Sequence, residues 1–508
     1  MIADLLRHLP GHLPGRGAAD LPAPDAYAAE LYARGYVCGA EPPRAPEGWL
    51  RLRFGRHHLA HDPRLAATRA TAGPGNGEAD GAAELLCLGL ICDVRRPEAT
   101  TAEVVAGLAR GLAAAEADFF EDLAHACGRH VVLFRRGGSP SGAADGSWGP
   151  SWLVTDATGM KPAFRTLGAP RLVASHAGLA AEAAGRGRAP DLAFRKGYPG
   201  LRTPFEDVLL LTPNTRLNLD DGTVERFWPA RAIAPLGVDA AAALAGGWMQ
   251  AAFDHLAARH APVVSVTGGL DSRVTLAMTR RHPDIPLFTY FRRAGLETDA
   301  ADRAFAAAFA RATGRAVRVF TLSEGAPTDP GFLRLLERNT YFDHIRRAAW
   351  TYHQAFAALP GAVHLRSNLA EIGREFWKHK RFPVATPVDL ARIYLAERSE
   401  YPAGYVFAVI ERFAELDAVT GLLAAGDHVD VKSLLYWEHR MAAWHSQVTA
   451  EGDPAFDTVS LYNCRRLLET LLAVPRPDRL RGVVPRRIIA ARWPELTRFP
   501  VNGKPFNA

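Results

Sequence analysis

Cysteine is scarce in this 508-residue chain: Cys38, Cys87, Cys92, Cys127 and Cys464 are odd in number and contain no C-x-x-C pair. Such usage excludes a disulfide framework and a structural zinc site, and it suits a reducing cytosol. The 18 histidines include no H-E-x-x-H, so zinc hydrolase chemistry finds no support. Charge of one sign is also lacking. Lys+Arg 60 against Asp+Glu 54 leaves +6, too small an excess to argue for nucleic acid or membrane binding, although a small phosphate-bearing substrate is compatible with it. No apolar run reaches the ~18–20 residues of a membrane span, and the start Met1-Ile2-Ala3-Asp4-Leu5-Leu6-Arg7-His8 is too polar for a signal peptide. A soluble, cytoplasmic protein is expected. No internal repeat is visible, which sets solenoids and propellers aside.

What is present is a folding composition, 48% hydrophobic and 22% charged, long enough for at least two cores of ~150 residues. Residues 8–30 and 40–80 are rich in Pro, Gly and Ala, and Thr71-Ala72-Gly73-Pro74-Gly75-Asn76-Gly77 predicts a surface loop. From Glu84 the pattern becomes ordered. Leu85 to Cys92 predicts a strand, Thr101 to Ala117 a helix, and His130–Phe134, Trp152–Thr155 and Pro162–Arg165 an antiparallel meander. Val208–Leu211 and Thr215–Leu219 are expected to continue it as a hairpin, closing a mixed sheet domain near Pro229. From Gly237 strand and helix alternate: helix 240–258, strand 262–266, helix 274–281, strand 287–291, helix 299–313, strand 316–322. That alternation predicts a parallel sheet covered on both faces. Beyond Pro330 the chain reads as mostly helical, with one more strand at Ala362–Leu365.

Strand Val263–Val266 runs directly into Thr267-Gly268-Gly269-Leu270-Asp271-Ser272-Arg273 and a helix. Two glycines let successive N–H groups converge on an anion, the helix N-terminus adds partial positive charge, and Thr267 and Ser272 offer hydroxyls. Asp271 would repel a bare phosphate, but it makes sense as a ligand of Mg²⁺ bridging phosphate oxygens. The bland alternative is a tight strand-to-helix turn capped by Asp271 and Ser272.

The string T-G-G-L-D-S resembles the S-G-G-x-D-S pyrophosphate loop of the N-type ATP pyrophosphatases, and specifically the synthetase domain of the asparagine synthetase, β-lactam synthetase and lasso-peptide cyclase superfamily. It is not a Walker A loop, because G-K-[ST] is missing. The resemblance continues through Phe291–Phe320, with Glu297-Thr298-Asp299 as the acidic segment, and His364–Ile372 sits where the family carries L-S-G-E-G-S-D-E-L. It implies a HUP-like α/β domain that uses ATP and Mg²⁺ to adenylate a carboxylate, after which an amine displaces AMP. Ser265, Thr267, Gly268, Gly269, Asp271, Ser272, Thr289 and Leu365 are the nucleotide-binding positions it implies. Asp271 would be one metal ligand.

The chain departs from the pattern where Arg366, Asn368 and Ala370 replace two glycines and an aspartate, so the second metal carboxylate can be only Glu371, one position away. A helix-starting Glu on a solvated face is its bland reading. Pro485-Arg486-Arg487-Ile488-Ile489 occupies the place of the family's K-x-[IL]-L-R segment, whose lysine stabilises charge during amide formation. Arg486 keeps that charge but cannot give up a proton. Lys504 is the rival cation, on a tail expected to fray. Glu438, in Tyr436-Trp437-Glu438-His439-Arg440, is a candidate base for the incoming amine, with a surface Glu–Arg pair as its alternative. Arg346 and Arg347 are candidate pyrophosphate ligands or a solvated basic face.

The front half resembles the same superfamily's glutaminase domain, an N-terminal nucleophile (Ntn) hydrolase fold, at Cys127–Leu133, at Asp156-Ala157-Thr158-Gly159-Met160-Lys161-Pro162, and at Thr212-Pro213-Asn214 with Phe227-Trp228-Pro229. The cysteine nucleophile that this domain needs at its processed N-terminus is not there, since Met1 is followed by Ile2. The expectation is α/β and α+β architecture: residues 1–235 a degenerate Ntn-type sheet domain, residues 236–508 an asparagine-synthetase-like ATP-pyrophosphatase domain with a helical C-terminal part. The expected activity is an AMP-forming amide ligase without glutaminase activity, acting in peptide or other natural-product biosynthesis. It would join a small-molecule or peptide carboxylate to an amine or ammonia, with a peptide-binding partner protein as a further expectation. A macrolactam-forming lasso-type cyclase and an ATP-binding pseudoenzyme or scaffold are the alternatives.

Overall fold

The computed structural model describes residues 25–73, 81–138, 148–189, 197–291, 297–322, 328–341, 344–396 and 401–506. Its first half holds twelve strands among the described residues: β1 Tyr36–Gly39, β2 Leu50–Phe54, β3 His57–His61, β4 Ala67–Ala72, β5 Ala83–Asp93, β6 Ala126–Arg136, β7 Trp152–Thr155, β8 Phe164–Thr166, β9 Leu172–Ala174, β10 Val208–Leu210, β11 Thr215–Asn218 and β12 Val224–Arg226. They form two six-stranded antiparallel sheets, ordered β10-β8-β9-β1-β3-β2 and β12-β11-β7-β6-β5-β4.

The period of two explains why these sheets stack. Along β5, Leu85 and Cys87 face the helices Thr101–Ala114 and Glu116–Ala124, while Leu86 and Leu88 meet Tyr36, Cys38 and Leu59 of the other sheet. Thr100 starts the first of these helices through a reciprocal capping box with Glu103. The outer face of the first sheet is covered by the helix Ala177–Ala184. The result is four layers, helix, sheet, sheet, helix.

The second half is built on a five-stranded parallel sheet, β13 Ala261–Ser265, β14 Leu287–Phe291, β15 Val317–Thr321, β16 Ala362–Leu365 and β17 Asp457–Val459, ordered β15-β14-β13-β16-β17. Val264 packs with the helices Val238–Arg259 and Leu270–Met278 on one face, and Val263 with the helix Arg346–Phe356 on the other. The protein is thus a mixed α/β molecule with one parallel and two antiparallel sheets. No helix among the described residues is long and apolar enough to cross a membrane.

The halves share a charged and apolar seam. Arg129 of β6, fully buried, binds Asp453 in a bidentate pair and reaches Asp457 of β17 at 3.0 Å. Cys127 and Cys464 meet as an isolated antiparallel bridge, and Trp437 Nε1 donates to the Ala157 carbonyl at 2.6 Å.

Several expectations are corrected here. Ala67–Ala72 is a strand on β5, so regular structure extends into the predicted loop; residues 74–80 lie outside the described residues. The expected meander and hairpin are split between sheets. β8 and β10 pair with each other in the first sheet, while β11 pairs with β7 and β12 in the second. Short neighbouring strands leave that choice to long-range packing. β17, embedded in the mostly helical tail, completes the parallel sheet and is preceded by a ten-residue π-helix, Tyr436–His445.

Candidate functional site

β13 lies at the centre of the parallel sheet, and the loop leaving its C-terminal end is where an open α/β sheet places its ligands. Thr267 Oγ1 and Ser272 Oγ lie 2.7 Å apart, and Ser272 Oγ also accepts from the Thr267 N–H at 3.1 Å. Gly268 packs tightly against a neighbouring helix: an added Cβ would stand 3.2 Å from the Ala301 carbonyl oxygen, so a side chain there would require that helix to shift by a few tenths of an ångström. Its N–H donates to the Asp302 carboxylate at 2.6 Å, so an anion already rests on the amide that the sequence marked for phosphate. Ser265 Oγ lies 3.4 Å from the Leu365 carbonyl, and Thr289 is buried in the adjacent β14.

Arg273, which follows the loop, is fully buried beneath it. Its guanidinium donates to the carbonyls of Phe499 at 2.7 Å, Pro500 at 2.8 Å and Gly268 at 3.2 Å, and lies 4.5 Å above the Phe305 ring. Burial, then the charge of Arg486, pulls it down to about 10. The tail is therefore strapped to the loop. The Asn502 N–H donates to the Gly268 carbonyl at 3.0 Å, and Val501 and Lys504 exchange hydrogen bonds of 2.7 and 3.0 Å across a tight turn. This corrects the expectation of a fraying tail: Lys504 is exposed, but on a turn anchored to the loop. Arg486, on the helix Val483–Arg492, stands 5.4 Å from the Phe506 ring and within electrostatic reach of both Arg273 and Arg374.

Asp271 and Glu371 lie within electrostatic reach of each other. Asp271 is held above the usual carboxylate range by burial, with Glu371 adding to the shift and Arg374 opposing it. Arg374 pairs with Asp271 through Nη2. Asp271 Oδ1 and Glu371 Oε2 are buried without a hydrogen-bond partner among the described residues. Two orphaned carboxylate oxygens on residues within electrostatic reach of each other suit a divalent cation. No group of three or more His, Cys, Asp or Glu gathers there among the described residues, so a cation at this pair would need further oxygens from a ligand. Leu369, just before Glu371, keeps φ at +89° although it is not glycine, a strained conformation of the kind found at ligand sites.

The Glu438 carboxylate is taken up by other partners. It is completely buried, bound bidentately by Arg226 at 2.7 Å and by Asn214 Nδ2 at 3.0 Å, and it ties the second antiparallel sheet to the π-helix. The surface pair of its sequence reading is replaced by that buried strut. Arg346 pairs with Glu337 at 3.5 Å. The side chains of Glu297, Thr298 and Asp299, and residues 342–343, lie outside the described residues, as do Met1 and Ile2.

Sequence reasoning missed Arg273, Asp302, Arg374, Tyr462 and Arg479. Arg374 carried a signal, lying three residues after Glu371 on the same helix face. Arg273 adjoins the loop, whereas Asp302, Tyr462 and Arg479 come from distant segments and carried none. A scan against models of protein families gives no match for this chain, and neither does a comparison with curated proteins.

Proposed function

We propose that the chain is an ATP-dependent, AMP-forming carbon–nitrogen ligase of the asparagine synthetase-like type, with a HUP-like catalytic half and an Ntn-like first half that has no glutaminase activity. The observation that carries this reading is the anion-cradling Gly268–Gly269 loop at the end of the central parallel strand, with the orphaned oxygens of Asp271 and Glu371 beside it. The acid substrate's carboxylate attacks the α-phosphate of ATP; pyrophosphate leaves. An amine then attacks the activated carbonyl carbon; AMP leaves, and the nitrogen's proton goes to solvent or a nearby base.

The amides of Gly268 and Gly269, with Thr267 and Ser272, grip the leaving pyrophosphate. Asp271 and Glu371 would hold Mg²⁺, which when bound offsets charge on the phosphate oxygens. Arg486 stabilises the oxyanion of the amide-forming step. The proposed lack of glutaminase chemistry is consistent with the burial of all five cysteines, and burial pushes the thiols of Cys38, Cys87 and Cys464 up to about 12.

A second reading has its own observation. Arg374 on Asp271 and Asp302 on the Gly268 amide supply from within the protein the two charges that metal and phosphate would bring, as a nucleotide-binding pseudoenzyme could retain. ATP–pyrophosphate exchange over a panel of acids separates the two. A ligase incorporates label with its acid and loses that ability in Asp271→Asn, whereas ATP binding without exchange for any acid leaves the pseudoenzyme.

A further inference from the structure

A cavity of about 230 Å³ opens between the two antiparallel sheets beside the end of β1, and every residue lining it lies between Cys38 and Gly222. Strand register explains how it is built. β8, β9 and β1 set Arg165, Val173 and Cys38 in one row, with Val173 paired to Arg165 on one side and to Cys38 on the other. That row faces the second sheet, because Cys38 and Val173 share a core with Leu217 of β11, as does Ala163, two residues before Arg165. Phe164, between them, packs with the helix Ala177–Ala184 instead. Arg165 is therefore a charged residue at an inward position of an otherwise apolar row.

A local break of this kind calls for a partner or a function. No partner is at hand. Arg165 Nε is buried without a hydrogen bond among the described residues, and among those residues no ion pair reaches its guanidinium. Glu415, the carboxylate acting on it, is already engaged by Arg202 at 3.0 and 2.8 Å. Arg171 adds a second guanidinium to the lining. It is exposed, and Nη1 spends one bond, of 3.1 Å, on the Asp220 carbonyl of the second sheet.

The neighbouring acids do not cancel these charges. The Asp220 carboxylate is shared by His57 Nε2 and Arg56 Nε, both at 2.7 Å, and by the Ser151 N–H at 2.9 Å. Asp221 is exposed and accepts from the Thr223 N–H at 2.7 Å, so water and salt screen it. Size narrows the occupant further. A cavity of about 150 Å³ takes up benzene, so this one has room for about nine non-hydrogen atoms, and an inorganic ion would leave its apolar floor of Cys38, Val173 and Leu217 uncovered.

We infer that this cavity binds a small organic anion, its carboxylate or phosphate group meeting Arg165 and Arg171 and its carbon body lying on the Cys38, Val173 and Leu217 floor. Binding there does not rest on the ligase reading, since no lining residue comes from the second half.

The test is calorimetry on the full chain with glutarate and glycerol 3-phosphate, compared with 1,5-pentanediol, 1,5-diaminopentane and inorganic phosphate. Glutarate or glycerol 3-phosphate should bind at least about ten-fold more tightly than the other three, and the tighter of the two identifies the acidic group. Arg165→Met should weaken that binding by about ten-fold or more while the urea midpoint holds or rises, because an apolar side chain replaces an unpaired inward charge. Arg171→Met, at an exposed position the fold does not depend on, should weaken it as well; loss in this variant locates the site even if Arg165→Met fails to fold. Equal binding of the diol or the diamine, inorganic phosphate as tight as both organic anions, indifference to both substitutions, or no binding of either organic anion overturns the inference.

Discussion

Arg374 Nη2 rests on Asp271 Oδ2, joining two residues 103 positions apart in the chain. A guanidinium on that oxygen carries the positive charge a metal would bring, while Oδ1 of the same carboxylate and Oε2 of Glu371 have no partner among the described residues. The pair holds the carboxylate pre-aimed and keeps it from being a bare buried charge.

Removing Arg374 should therefore change metal binding before it changes the fold. In Arg374→Met, the Mg²⁺ concentration that half-saturates the rise in melting temperature should fall by about ten-fold, because the cation no longer competes with a guanidinium. Glu371→Ala should raise it sharply. Unchanged Mg²⁺ midpoints in both variants would return Glu371 to a structural role.

The strapped tail changes what truncation should do. Ending the chain at Arg498 removes the Phe499 and Pro500 carbonyls that Arg273 binds and the Asn502 N–H on Gly268, so ATP affinity should fall. Arg486→Ala should leave pyrophosphate exchange running and slow product formation by roughly 10²–10³. Lys504→Ala, which keeps the backbone turn, should do much less; the reverse result, read by single-turnover product assay, makes Lys504 the oxyanion partner.

Glu438 tests the seam between the halves. Glu438→Ala leaves the partly buried Arg226 without its carboxylate and should lower stability by about 3–5 kcal/mol in urea unfolding. Exchange per folded molecule should remain near wild type. Loss of turnover without loss of stability would restore it as a base.

Acid sensitivity follows from buried neutral histidines. Burial, then the charges of Lys161 and Arg129, pushes His176 down to about 3; burial pushes His439 to about 4 although its Nε2 faces the Tyr198 carbonyl at 3.1 Å. Both folded values lie below the ordinary 6.5. Their contribution to stability is complete above pH 6.5 and is lost as pH falls through 4 towards 3, because only the unfolded chain takes up the protons. Urea midpoints measured from pH 7.5 to 4.5 should fall steadily, and His439→Asn should reduce the slope by up to roughly 1.4 kcal/mol per pH unit. An unchanged slope would show His439 already charged in the fold.

The strand–loop–helix at 261–278 and the alternating second half were legible because their causes are local. An apolar run, two glycines and a helix start determine the backbone within a few residues, and Asp271 and Ser272 must lie beside the loop whatever surrounds them. The association of Asp271 with Glu371 came from resemblance; in the fold the two carboxylates are within electrostatic reach of each other. Other features had no local cause. β8 and β11 carry the same short alternating pattern, yet they belong to different sheets, since a three-residue strand takes its partner from packing. Glu438 reads as a surface residue beside Arg440, and becomes buried only because Arg226 and Asn214 arrive from the other half.

By itself the sequence determined the loop, its hydroxyls and Asp271, because hydrogen bonds and φ/ψ preferences within one turn are decided by neighbours in the chain. Only the tertiary structure decided that Arg374 would hold Asp271, that Asp302 would sit on the Gly268 amide, and that the tail would be strapped by Arg273. Those relations join side chains from separate helices, and they arise only when burying the apolar faces of those helices brings the segments together.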